Sequence, residues 1–482
     1  MATVTDEDTP NGPTPKKLPL VQPIGARSGG DGLATDSRMV NMCAERTAEG
    51  MAAVKRSGTA FFTRPPAPAG ATAQGQFLLQ DILWSILSDV AYSSQGGSPI
   101  AIAGNTMPNT PYEVLSDSPN NTTLLKNAVG LWVVVGSGIT ATITKVTDLD
   151  YPALTVPGVA LLDGTYYVMD SSGNIYGSDL EDPTSWNALN FIAGDAAYGK
   201  GRGVIRHLNY IVGMFEFGCQ LFYDAENPAP GSPLLPVGNA AWTTGCAGGL
   251  SLVEMADTTV WVTKNKQYGR QVLALSGLAL QVISTPAIER VLNYYNLEDF
   301  TAYALKTGGH NFYVLTLPSY NTNGLTLVFD LTTGHWTQWT STTAGVEGKF
   351  TPIGYAGALN GDFFQDPATG DTIVMSPTTY SDITGPITCR IVTPCYDWGT
   401  LNQKRFAALF LHADTVASTI SVHYTDDDYQ SFSALRAVYL GSVRKMLQRC
   451  GRSRRRGWEL LHTDATSLKL YAMQLDMTAG EA

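Results

Sequence analysis

Leu161-Leu162-Asp163-Gly164-Thr165-Tyr166-Tyr167-Val168-Met169-Asp170-Ser171-Ser172-Gly173-Asn174-Ile175-Tyr176 contains two short apolar runs, each introduced by a turn signal, Asp163-Gly164 and Ser172-Gly173-Asn174. Asp, Asn and Gly tolerate the positive-φ positions of tight turns, and β-branched and aromatic residues suit a pleated strand, so the stretch reads as a hairpin. The pattern returns in residues 207–215 followed by Gln220-Leu221-Phe222-Tyr223-Asp224, and in residues 312–317 joined across Asn321-Thr322-Asn323-Gly324 to residues 325–329. Further strand-like runs are residues 77–84, 130–135 and 259–263. Units spaced about 40 to 50 residues apart suit a β-propeller of radially packed four-stranded sheets. The competing reading is a pair of ordinary sandwiches or jelly rolls.

Composition agrees with a mainly β chain. Of 482 residues, 44% are hydrophobic, enough for sizeable cores, while only 15% are charged, below the usual quarter. Low charge with abundant Gly, Thr, Ser and Tyr favours sheets and turns over exposed charged helices. The longest apolar run, residues 131–135, is broken by Gly136 and Gly138 and is far too short for a membrane span. Residues 1–8 are acidic and lack the basic start of a signal peptide, so synthesis in the cytoplasm is expected.

Four regions are expected: a flexible arm at 1–18, strands joining a platform at 19–60, a β-propeller-like domain at 61–384, and an antiparallel β-sandwich or platform domain at 385–482. The arm is Pro-, Gly- and Lys-rich with little to pack. One segment breaks the strand rhythm. In residues 285–295, Ala287, Ile288, Val291, Leu292 and Tyr295 are apolar at helical spacing, with Pro286 near the start, which predicts a short helix.

The charge is segregated. Arg444, Lys445, Arg449, Arg452, Arg454, Arg455 and Arg456 lie within thirteen residues, and removing them takes the net charge from −11 to −18. Arginine dominates, and its planar fork suits ion pairs at interfaces, so the segment is expected to contact a neighbouring subunit or an acidic partner, the alternative being a solvated loop. The acidic remainder disfavours nucleic-acid binding by the whole chain. In Thr425-Asp426-Asp427-Asp428-Tyr429-Gln430-Ser431-Phe432, Asp426, Asp427 and Asp428 read as a structural turn resembling the Asp-box of sialidase-like propellers, with Tyr429 where Gly is usual and Asp427 capping backbone N–H groups. Calcium is the sharper alternative there, although the twelve-residue ligand loop is missing.

Other chemistry is sparse. The six cysteines have no metal or redox spacing and read as buried thiols, with Cys389 and Cys395 spaced to face each other across a hairpin. The six histidines are isolated, the Gly-rich run 198–203 fits no phosphate-binding fingerprint, and the sequon at Asn120-Asn121-Thr122-Thr123 means little without a secretory signal. No catalytic, cofactor or metal residues are assigned, and no enzyme activity is expected.

Several runs together resemble the packaged-DNA stabilisation or tail-nozzle proteins of short-tailed double-stranded DNA bacteriophages. They are Val40-Asn41-Met42, Val54-Lys55-Arg56-Ser57-Gly58, the hairpin of 173–182 with its acidic turn Asp179-Leu180-Glu181-Asp182-Pro183-Thr184-Ser185-Trp186, residues 278–295, the pair 314–318 and 327–330, Gly334-His335-Trp336-Thr337-Gln338-Trp339, and the basic segment 444–456. The resemblance implies a virion protein of the tail nozzle or hub, a head-to-tail connector forming a homo-oligomeric ring of six below the portal and adaptor. Such a ring would extend the DNA channel, retain the genome and guide its ejection. It would dock tail fibre, spike or plug proteins and meet the host outer envelope only at infection, while double-stranded DNA passes through its lumen without specific binding. The rival reading is a carbohydrate-binding or glycan-processing propeller of a phage tail, suggested by the Asp-box-like turn and by Trp336 and Trp339 taken as exposed aromatics. An enzyme of that kind would need convergent carboxylates with raised pKa values.

Overall fold

Alternating apolar runs and turns form sheets throughout the computed structural model. It describes residues 14–25, 36–48, 50–67, 69–79, 81–94, 99–100, 107–117, 122–136, 140–228, 230–294, 298–358 and 361–480. Residues 1–13 of the expected arm, Gln80, the Asn120-Asn121 part of the sequon, Gly138, and Tyr295 of the expected helix lie outside the described residues. The chain divides into two units: Gly58–Gly334 with Gly345–Thr378, and Met1–Ser57 with His335–Ala344 and Thr379–Ala482. No helix among the described residues is long and apolar enough to cross a membrane.

The first unit contains, among the described residues, seven successive antiparallel blades, one to seven: 73–100, 113–145, 160–193, 201–242, 245–282, 301–330, and 353–376 with 58–63. The hairpin of 161–176 lies in the third, built from Ala160–Leu162, Thr165–Met169, Asn174–Asp179 and Asp182–Ala193. Asp163 and Gly164 both take positive φ in its first turn. Residues 77–84, expected as one strand, instead span the turn at Asp81, φ 61°, between Ala73–Leu79 and Ile82–Leu87 of the first sheet. The last sheet joins Ile353–Ala358, Gly361–Gln365 and Thr372–Ser376 to Gly58–Thr63 from the other end of the unit.

Each sheet packs against the next. Trp84 and Phe77 of blade one meet Trp132 and Leu125 of blade two, and Leu131 and Val133 meet Tyr166 and Val168 of blade three. Tyr167 and Ile175 then meet Phe215 and Phe222 of blade four, and Met214 and Leu221 meet Trp261 of blade five. The Tyr313 hydroxyl of blade six donates to the Ser251 carbonyl at 2.8 Å, and Tyr303 stacks on Tyr355 of blade seven. Phe363 and Ala356 of blade seven close on Leu83 of blade one. The ring is thus complete, and the seven sheets form a β-propeller whose last blade borrows its closing strand from the N-terminal side. Close approach also fixes some glycines: Gly158 has φ +99°, and a Cβ there would sit 1.9 Å from the Val204 carbonyl oxygen of the next blade. The expected helix is Pro286–Tyr294, burying Ala287, Ile288, Val291 and Leu292.

The second unit is a sandwich. One sheet runs in the order Met42–Thr47, Gly50–Lys55, Lys469–Ala479, Lys404–Ala413 and Met446–Gln448. Thr14–Leu18 also pairs with Lys469–Ala479, and Arg452–Ser453 with Lys404–Ala413. The other runs His335–Thr343, Arg38–Val40, Cys389–Val392, Gly457–His462, Thr419–Thr425 and Arg436–Tyr439. Their inner faces share a core that includes Leu18, Met39, Phe406, Leu409, Ile420, Trp458 and Leu475.

Three expectations change. Thr14–Leu18 is a strand and not an arm, because Leu18 and Leu20 bury apolar surface that the Lys/Pro composition around them conceals. The sandwich also takes the strand His335–Thr343, so the stretch 61–384 is not one uninterrupted propeller segment. Trp336 and Trp339 are buried, 3% and 1% exposed, so they form no aromatic binding surface.

Candidate functional site: an arginine-rich face on the sandwich

The basic segment lies beside the strand Lys404–Ala413. Alternation sends Phe406 inward and Arg405 outward, and the ladder sets Arg405 directly opposite Arg452. Both are exposed, and like charges facing each other across strands are unfavourable. Arg449, at φ 55°, bonds through its N–H to the Ala407 carbonyl at 2.8 Å, which brings it beside the same strand. Beneath the segment, buried Lys404 spends its ammonium on the carbonyls of Thr400, Asn402 and Arg454, and burial lowers its pKa.

The seven predicted cations do not act alike. Arg444, Arg449, Arg452 and Arg454 are exposed and find no side-chain acceptor among the described residues. Lys445 is half-buried and donates to Thr415 Oγ1 at 3.1 Å. Arg455 pairs with Asp428 at 3.1 Å. Arg456 requires a correction: it is fully buried and contacts no surface partner. Its fork holds both oxygens of Asp426 at 2.7 Å, its third nitrogen reaches the Cys450 carbonyl, and its plane lies 3.7 Å from the Tyr424 ring centroid and 4.5 Å from that of Phe406. Arg is chosen there because a planar cation can both stack and bond in a fork. Arg405 escaped the sequence reading because it lies far in sequence from the run 444–456; only its outward place in the alternation, next to inward Lys404 and Phe406, signalled it.

The aspartate turn is explained by the same neighbourhood. Asp427 accepts from the backbone N–H groups of Gln430 at 3.1 Å and Ser431 at 2.9 Å and from the Thr425 hydroxyl at 2.8 Å. The Ser431 hydroxyl, with these groups behind it, lowers the Asp427 carboxyl to about 2. Tyr429 occupies a left-handed position, φ 70°, where glycine is the usual choice; its buried ring and its hydroxyl's 2.7 Å bond to the Thr393 carbonyl compensate. With Asp426 on Arg456, Asp427 on its own turn and Asp428 on Arg455, the carboxylates are committed to partners within the chain, which weighs against the calcium alternative. Among the described residues no cluster of His, Cys, Asp or Glu has a metal-holding arrangement. All six cysteines are free, so Cys389 and Cys395 are unlinked.

Two other places bring titratable groups together. A cavity of about 640 Å³ in the propeller is lined by Val156, Pro157, Arg202, Gly249, Glu298 and Phe300 among others. Its Arg202 and Glu298 join Glu216 and Lys264 in one ion-pair cluster: Glu216 meets Arg202 at 3.1 Å and Lys264 at 2.8 Å, and Glu298 meets Lys264 at 2.8 Å. The hydrogen bond from Lys264 holds Glu216 below its ordinary pKa, and Glu298 is lowered as well, its burial outweighed by Lys264 and the two arginines. Neither is a general acid poised near neutrality. In the sandwich, Ser418 lies 2.7 Å from His462 Nε2 and donates to Asp464 at 2.9 Å. The aspartate therefore grips the serine and not the histidine's other nitrogen, burial pushes His462 down to about 4, and Ser418 is 3% exposed. That geometry generates no nucleophile.

A family model described as bacteriophage P22 Gp10, β-propeller, matches residues 101–380. No curated protein sequence matches the chain. Similar solved structures include the extracellular domain of a hybrid two-component system from B. thetaiotaomicron, 12% identical with a TM-score of 0.43, covering 80% of this chain and 47% of that one. This chain thus spans under half the length of that relative. Another is BamB from Moraxella catarrhalis, 14% identical with a TM-score of 0.38, covering 69% of this chain and 92% of that one. With more than half of its length matched by the family model, the chain belongs to the bacteriophage P22 Gp10 β-propeller family of phage structural proteins.

Proposed function

We propose that this chain is a tail nozzle or hub protein of a short-tailed phage virion, assembled as a ring that continues the DNA channel below the portal and its adaptor. Within the family's structural role, the observation that carries this finer reading is the exposed face of Arg405, Arg444, Arg449, Arg452 and Arg454 on a chain whose net charge is −11. A protein that is acidic elsewhere and concentrates unpaired arginines on one face has a docking surface for acidic protein. The acidic remainder suits a conduit wall, since cations along a DNA path would bind phosphates and stall the polymer. The ring would retain packaged DNA, guide ejection, and give fibre, spike or plug proteins a seat. Buried Trp336 and Trp339 leave the glycan reading without its aromatic platform.

The test adds purified protein to tail-less, portal-bearing phage heads, viewed by negative-stain microscopy alongside mass photometry of the protein alone. Ring-shaped density beneath the portal, lost when Arg452 and Arg454 are changed to Glu, is the expected result. Protein that stays monomeric and leaves the heads bare overturns the reading.

A further inference from the structure

The arginine face has a chemical counterpart in the propeller of the same chain. Blade three ends in two adjacent turns, Asp163-Gly164 and Leu180-Glu181, tied by the bond from the Glu181 N–H to the Gly164 carbonyl at 2.8 Å. Asp163, Asp179, Glu181 and Asp182 are all exposed there, and none pairs with a cation among the described residues. Asp179 stands directly opposite Asp182 in the ladder. This repeats, with the sign reversed, the Arg405–Arg452 opposition on the sandwich. Each like-charged pair costs stability in the isolated chain. The acidic tip also carries an apolar apex, Leu180, 70% exposed, and on the sandwich Val443, 99% exposed beside Arg444, lies toward the Leu411 end of the strand that carries Arg405.

We infer that these two surfaces are the halves of one contact between copies of this chain, the acidic tip of blade three on one copy seated against the arginine face on the next. Opposite charge around an apolar contact matches the organisation of specific protein interfaces. Because the two halves are different surfaces, the contact is heterologous, and repeating it closes a ring or extends a filament. The inference rests on the ring proposed above and names what holds the ring together.

Charge reversal at each half tests it. Arg452→Glu with Arg454→Glu sets two carboxylates against the acidic tip, and Glu181→Lys with Asp182→Lys sets two ammonium groups against the arginine face. All four residues are exposed and each variant relieves one like-charged pair, so each should melt no lower than wild type. Assembly is read by mass photometry and sedimentation, alone and on portal-bearing heads. Wild type should assemble, and raising salt from about 0.05 M to about 0.5 M should weaken it at least tenfold by screening. Each variant alone should remain monomeric, and an equimolar mixture of the two should assemble, because alternating copies restore every opposite-charge contact. If wild type assembles and either variant does so equally well, or if the mixture stays monomeric, this pairing is wrong while the ring reading stands. If wild type assembles neither alone nor on heads, the ring reading itself fails and this pairing falls with it. A sandwich variant that assembles normally but loses binding to a duplex DNA fragment would reassign the face to phosphate and overturn the pairing.

Discussion

Arg456 and Arg454 are two residues apart and have opposite fates, one sealed under Tyr424 and Phe406 and the other in solvent. Arg456 is held by the Asp426 carboxylate, the Cys450 carbonyl and two aromatic faces, so it is architecture and only its exposed neighbours are free to recruit. Asp427 works on the same scale. Its carboxyl is lowered from an ordinary 3.8 to about 2 by the Ser431 hydroxyl and the turn's N–H donors. A lowered carboxyl contributes stability that is fully present above its unfolded value and is lost as pH falls through the folded one. Wild type should therefore lose this contribution between about pH 4 and pH 2, whereas Asp427→Asn should show a flatter acid limb in that window. Urea unfolding across the window, with the Asp427 carboxyl followed by NMR, checks both parts; identical limbs would show that the turn stores no such energy.

At the scale of elements, the weak point of a propeller is the seam where its ends meet. Here the closing strand Gly58–Thr63 pairs with Thr372–Ser376, and the Thr372 hydroxyl lies 3.2 Å from Gln76 Nε2, 3.0 Å from Ser85 Oγ and 3.3 Å from Ser94 Oγ. These buried polar groups join blade seven to blade one. Thr372→Val keeps the shape and deletes the shared partner, so it should destabilise the protein by about 1 to 2 kcal/mol. Hydrogen exchange should then quicken first in residues 58–63 and 82–87. Unchanged exchange there would mean that the apolar contact of Leu83 with Phe363 holds the seam alone. The individual hairpins were legible, because Asp163-Gly164 and residues 312–329 carry their turn chemistry locally. The seam was not, since Thr372 and Ser85 are far apart in sequence and nothing local marks a serine as one half of a closure.

Across the whole molecule, the chain passes between its two units at residues 57/58, 334/335, 344/345 and 378/379. The stretch 385–482 looks self-contained, yet Cys389–Val392 depends on Arg38–Val40 for a neighbour, and Lys469–Ala479 on Thr14–Leu18 and Gly50–Lys55. The sandwich also holds the buried Arg56–Asp382 pair, with Arg56 Nη2 donating to the Thr340 carbonyl at 2.9 Å and its Nε to Asn41 Oδ1 at 2.9 Å. A fragment of 385–482 expressed alone should consequently show no cooperative unfolding and should bind a dye that reports exposed apolar surface. A sharp two-state melt from that fragment would show that the imported strands are dispensable.

From its residues alone, the chain determined that it is mainly β, that its strands come in hairpins at a propeller's spacing, that a short helix falls within 285–295, and that its cations gather near the C-terminus. Those properties are written in neighbouring side chains, where periodicity and turn chemistry act over a few residues. Tertiary structure alone decided that Thr14–Leu18 and His335–Thr343 belong to the sandwich, that Trp336, Trp339 and Arg456 are buried, and that Arg405 faces Arg452 while Asp179 faces Asp182. Each of these depends on which distant strand lies alongside and in what register, and one residue of slip in that register turns a side chain from the core to the solvent.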